Sequence, residues 1–123
     1  MIILFNKTKS KEIFEVEIAN SYFKRLKGLM FKKNINNGLI LKVPKSRYSK
    51  RSSIHTFFMR ISLDVLFINE ENKVYEMVTL KPWKIYSPRK PAKYVVELKK
   101  DSINTKNMEI NDEIIIKTLS EKY

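Results

Sequence analysis

His55 and Asp64 are the residues of this 123-residue chain whose types suit acid–base chemistry, since imidazole titrates near neutral pH and a carboxylate can fix its tautomer. They sit nine apart in the stretch Ile54 to Ile68, so they meet only if its two halves fold against each other. Without that fold-back, His55 is a partly buried sheet residue bonded to backbone, and Asp64 ends a strand or pairs with Arg25. Arg25 and Glu97 are charged residues set inside otherwise apolar runs. An Arg–carboxylate pair there, with Asp64 or Glu97, would pin one element to another and could also face a ligand carboxylate. Met30, Met59 and Trp83 supply an adaptable thioether or a stacking face for an apolar pocket, or simply core packing. The candidate ligand-binding set is therefore Arg25, Met30, His55, Met59, Asp64, Trp83 and Glu97.

Several chemistries lack their residues. The chain has no cysteine and one histidine, so a thiolate nucleophile is absent and a zinc site would need carboxylates for nearly all its ligands. Neither a Gly-x-Ser-x-Gly elbow nor a Gly-rich phosphate loop occurs. No metal and no cofactor is expected, and a non-enzymatic role is preferred, with a hydrolase using His55 and Asp64 kept as an alternative.

Charge is the other signal. The formal net charge is +12, and from Ile18 to Leu63 eleven cations stand with no acidic residue. Such asymmetry suits an anionic partner, although a solvated lysine-rich face looks the same in sequence. Two basic stretches also carry aromatics: Lys42 to Arg51 with Tyr48, and Lys81 to Lys93 with Trp83, Tyr86 and Tyr94. If they share one end of the fold, Lys45, Arg47, Lys50, Arg51, Lys84, Arg89 and Lys90 would hold phosphates while the rings stack bases, an alternative function as a single-stranded nucleic-acid binder.

The elements that must position these residues are mostly strands. Ile2 to Phe5 and Glu12 to Ile18 bracket a polar turn and predict an opening hairpin. Tyr22 to Lys27, capped by Ala19-Asn20-Ser21 and ended by Gly28, predicts one short helix near residues 20–28. Leu39 to Val43 predicts a strand, and 44–53 an exposed basic loop. His55 to Met59 and Leu63 to Ile68 predict two strands through the middle of the core. Lys73 to Leu80 returns as the partner of Leu63 to Ile68 after the turn Asn69-Glu70-Glu71-Asn72. The three prolines of 81–91 bar a central strand. Ala92 to Leu98 and Glu113 to Leu119 predict further strands, with the polar stretch between them anchored by Ile103, Met108 and Ile110. The expected fold is one mostly β (α+β) domain spanning 1–123, a small antiparallel barrel or half-barrel, since closure hides strand edges. The apolar start Met1 to Phe5 has no basic region or cleavage site of a secretory signal, so a cytoplasmic protein without a membrane partner is expected.

Seven pieces in order carry a resemblance: Ala19 with Arg25-Leu26-Lys27-Gly28-Leu29-Met30-Phe31, Gly38-Leu39, Phe57-Phe58-Met59, Leu63 to Ile68, Lys81-Pro82-Trp83, Ala92 to Leu98, and Ile110-Asn111-Asp112. From about Ile13 the chain resembles the domain of unknown function 192 family, also called uncharacterised protein family 0127. The resemblance implies a small β-rich barrel-like domain with one helix and no assigned activity. It departs from the common pattern at His55 and Phe57-Phe58-Met59, where a Phe-Trp-Met-Lys-Asn-Thr run is usual, in a shorter bend before Leu63, and at Asn111, which replaces a frequent Gly. The leading expectation is a binding module for an anionic ligand or partner protein.

Overall fold

The computed structural model describes residues 2–19, 38–45, 47–48 and 52–118. Among them the fold is mostly β. Strands β1 (Ile2–Asn6), β2 (Lys11–Ala19), β3 (Gly38–Lys42), β5 (Leu63–Ile68), β6 (Val74–Leu80), β8 (Tyr94–Lys99) and β9 (Ile114–Thr118) form one sheet in the order β6-β5-β8-β3-β2-β1-β9. A two-stranded ribbon of β4 (Ile54–His55) and β7 (Ile85–Tyr86) lies outside it, and a one-turn helix, α1 (Ser102–Thr105), follows β8. The helix expected near 20–28 lies outside the described residues.

Both predicted hairpins form, and asparagine side chains build their turns. Asn6 Oδ1 accepts the Lys9 amide at 3.1 Å between β1 and β2. Asn69 Oδ1 accepts the Glu71 and Lys73 amides at 3.0 and 2.9 Å between β5 and β6, where Asn72 takes the left-handed φ of 63° that asparagine tolerates. The β2–β3 pair is parallel and the other strand pairs of the sheet are antiparallel. At Gly38, which opens β3, a Cβ would lie 2.6 Å from Leu98 Cδ2 and 3.0 Å from the Glu97 carbonyl oxygen, so the close approach of β3 to β8 requires glycine there.

Strand alternation sorts the core into two layers. Leu4, Ile13, Val16, Ile40, Leu66, Ile68, Val74, Val96, Leu98 and Ile114 come from all seven strands and, with Met108, fill the inside of the curl. Leu39, Leu41, Leu63, Val65, Phe67 and Val95 point the other way, onto an outer layer of Ile54, Met59, Tyr75 and Ala92. Every residue of β5 is thus buried, which explains why Leu63 to Ile68 reads as a nearly unbroken apolar run rather than an alternating one. A bulge between Phe67 and Ile68 turns Tyr75 to the outer layer, its ring 6.4 Å from Phe67.

The edges of the curled sheet meet at one end, through a bridge between Lys73 and Glu113. Backbone bonds from Val74 N to Asp112 O, Asn111 N to Val74 O and Ile114 N to Asn72 O extend it. Asn111 takes φ 76°, a left-handed conformation that asparagine tolerates. Beneath the bridge, Asp112 Oδ2 accepts three donors: Asn6 Nδ2 at 2.8 Å, Lys9 Nζ at 2.8 Å and the Glu109 amide at 3.0 Å. Burial alone would push this carboxyl up, but Lys9, Asn6 and the amide outweigh it and hold it below the usual carboxylate range.

Two expectations need correction. His55 to Met59 is not a core strand: only Ile54 and His55 pair, with Tyr86 and Ile85, and the chain turns at Phe57-Phe58 with Phe58 at φ 63°. Thr56 hydrogen bonds, described below, draw this segment to the loop after β6 instead. Ile110 is no anchor, being 46% exposed, whereas Met108 is buried and Ile103 packs beside it in the inner core.

Candidate functional site

The described residues of 43–62 are stitched to 81–93. Val43 N donates to Lys93 O at 2.9 Å, the Ala92 amide to Ser52 Oγ at 2.8 Å, and the hydroxyls of Ser53 and Ser87 lie 2.5 Å apart. The basic stretches named from sequence therefore do adjoin.

Thr56, fully buried, makes the tightest join. Its amide donates to Lys84 O at 2.7 Å, its carbonyl accepts Trp83 N at 2.8 Å and Met59 N at 3.1 Å, and its hydroxyl donates to Lys81 O at 2.6 Å while accepting Lys84 N at 2.8 Å. One side chain thus closes the turns 56–59 and 81–84 against each other. At their tips Phe58 and Trp83 take φ 63° and 64°. A bulky residue in the left-handed region is an outlier, held only where its surroundings over-determine it. Thr56 provides that over-determination.

The rings at these tips face outward. Trp83 is 58% exposed and Phe58 46%, their centroids 4.8 Å apart and tilted by 58°. Phe57 lies 6.2 Å from Trp83, and His55 stacks on Phe57 at 5.0 Å. Ile85, the cross-strand partner of His55, is 67% exposed. Around this row stand the exposed cations Arg60, Lys81 and Lys84, with Lys45, Arg47, Lys90 and the exposed Tyr48 on the joined segments. Neither 43–62 nor 81–93 contains a carboxylate. Arg89 is partly engaged: its guanidinium donates to Tyr75 O at 3.0 Å and lies 3.9 Å from Glu76. Glu76 also accepts the Tyr86 hydroxyl; that bond, with burial adding to it, holds the phenol above its ordinary pKa.

The sequence-derived site residues are thus divided. Half-buried His55 and exposed Trp83 share the row of rings. Met59 is buried beneath it in the outer core. Asp64 is 1% exposed and shares the inner face of β5 with Leu66 and Ile68; its oxygens accept Thr79 Oγ1 at 2.7 Å and the Ile103 amide at 2.9 Å. His55, on the outer ribbon, has Nδ1 3.3 Å from the Phe57 amide that donates to it. Glu97, also buried, lies between Leu39 and Val65 on the outer face. Arg25, Met30, Lys50 and Arg51 lie outside the described residues. Thr56, Phe57 and Phe58 escaped sequence reading as site residues. The signal for them was the Phe-Phe pair beside a lone threonine, which composition alone reads as core strand. On another side, a cleft of about 300 Å3 opens between β2 and α1, lined by Phe14, Glu15, Leu98, Lys99 and Lys106 among others.

Residues 3–116 match the family model DUF192, described as an uncharacterized ACR. The chain belongs to the DUF192 family. A UPF0127 protein of Thermococcus sibiricus is 41% identical over 113 residues, covering 91% of this chain and 73% of that protein. One from Pyrococcus furiosus is 40% identical over 113 residues, covering 90% and 95%. Two solved structures share the fold of this DUF192 chain. A protein of unknown function from Novosphingobium aromaticivorans superposes with TM-score 0.76 at 16% identity, covering 93% of this chain and 82% of that one. A protein from Sinorhizobium meliloti, named as a candidate transcription regulator, gives 0.78 at 19% identity, covering 93% and 90%. The fold expectation for this DUF192 chain, a mostly β curled half-barrel, stands.

Proposed function

We propose that this DUF192 chain is a non-enzymatic binding module for an anionic ligand or partner, and that its binding face is the joined surface of residues 43–45, 47–48, 52–62 and 81–93. The observation that carries this reading is the coincidence, on one surface, of several exposed cations, no carboxylate from either segment, and two exposed rings on left-handed turns, while the neighbouring Glu76 is engaged by Tyr86 and Arg89. Clustered exposed aromatics mark interaction surfaces, and strained backbone collects at ligand contacts. A catalytic reading has less support, because Asp64 is committed to Thr79 and the Ile103 amide inside the curl while His55 lies on the outer ribbon.

Inorganic polyphosphate tests the charge requirement by isothermal titration at two salt concentrations. Binding that weakens steeply with salt, and falls in the double variant Lys81→Glu/Lys84→Glu, is the expected result. No heat at low salt would sink the proposal.

A further inference from the structure

We infer that the polyanion taken by this face is single-stranded nucleic acid, with unpaired bases stacking on Trp83 and Phe58 and phosphates on the flanking lysines. The inference rests on the binding face just proposed and adds what the rings do. His55, Phe57, Trp83 and Phe58 follow one another with centroid steps of 5.0, 6.2 and 4.8 Å. A row of rings suits a chain of successive bases, each with a π-face, better than one planar molecule. Lys81 and Lys84, both exposed, belong to the same turn as Trp83. A duplex would hide its base faces from these rings, whereas an unpaired strand leaves them open to stacking. A membrane surface fits less well, because Ile85 is the one strongly exposed aliphatic in the row and the other exposed groups are aromatic. Thr56 is the positioning residue: it touches no ligand but joins the turns carrying both rings.

Trp83 is the only tryptophan, so its fluorescence reports on the face directly. The full chain is titrated with a short fluorescein-labelled oligothymidylate by anisotropy, with the unlabelled strand by Trp83 emission, and in parallel with inorganic polyphosphate and with phosphatidylserine vesicles. The expected result is quenching of Trp83 by the oligonucleotide, stronger binding to it than to polyphosphate, and a log–log salt slope near −3 for about four phosphates. Phe58→Ala and Trp83→Ala, checked for fold by circular dichroism, should each weaken oligonucleotide binding roughly tenfold or more while leaving polyphosphate binding in place. Thr56→Val should erase the preference for the oligonucleotide over polyphosphate, and Thr56→Ser should restore it. Equal binding of both polyanions without a Trp83 response would overturn the stacking inference and leave the binding face standing. A blue shift on vesicles with no oligonucleotide response would overturn it in favour of a membrane surface. Failure of both polyanions at low salt would remove this inference together with the proposal beneath it.

Discussion

Thr56 and the two aromatic turn residues show how one hydroxyl can set the conformation of its neighbourhood. Valine has nearly the same shape but can neither accept the Lys84 amide nor donate to Lys81 O, so Thr56→Val leaves two partly buried backbone groups without this partner. A cost of roughly 2 kcal/mol is expected in urea denaturation, with Thr56→Ser recovering most of it. An unchanged midpoint for the valine variant would mean that the turns hold without this hydroxyl. Phe58 offers a second test at the same scale. At φ 63° a Cβ is penalised, so Phe58→Gly should be more stable than Phe58→Ala by about 1 kcal/mol, the reverse of the order in an ordinary strand. The two variants lose the same ring, so packing cancels from the comparison.

Among the elements, the joins between strands depend on small features. Gly38→Ala would drive a methyl toward Leu98, the Glu97 carbonyl and Val16, all within 3.2 Å. Because Val16 and Leu98 belong to the packed inner core, the neighbours have little room, and a loss of roughly 1–3 kcal/mol is expected on denaturation. Asp112 has the corresponding role at the bridge between the edge strands. Asp112→Asn removes the charge facing Lys9 while keeping the side chain's shape. The native carboxyl is held below its ordinary value of 3.8, so its contribution is complete above that pH and is lost as the pH falls below it. Thermal melts should therefore show the wild type well above the variant at neutral pH, with the two converging in strong acid. Parallel curves across the whole acid range would refute the role given to the carboxylate.

For the whole molecule, stability has an alkaline limb as well. The Tyr86 hydroxyl is held above 10.0 chiefly by its bond to Glu76, and Tyr75 is held up chiefly by burial. A raised phenol contributes stability that is present below pH 10 and is lost as the pH climbs through the folded value. Absorbance titration of tyrosinate should find Tyr75 and Tyr86 ionising late, together with unfolding, and Tyr86→Phe should remove one late step. Two protonation events of opposite direction thus bracket the range in which the curled sheet is stable. One secures the edge bridge from the acid side, the other the outer layer from the alkaline side.

The strands that sequence determined are those whose patterns are local. Alternation in Ile13 to Ile18, the apolar run Leu63 to Ile68 and the asparagine-built turns made both hairpins legible, and three prolines kept 81–91 out of the central sheet. The lack of carboxylates in two segments was equally visible as composition. What tertiary structure alone decided was which surfaces those segments share. Apolar Phe57 and Phe58 read as core because periodicity records hydrophobicity, not which groups a distant backbone will satisfy. Long-range bonds from Thr56 to Lys81, Trp83 and Lys84, across 25 to 28 residues, turned that stretch outward. The same limit separated His55 from Asp64: their spacing along the chain was fixed, but the faces they occupy depended on how β5 is sandwiched between two cores.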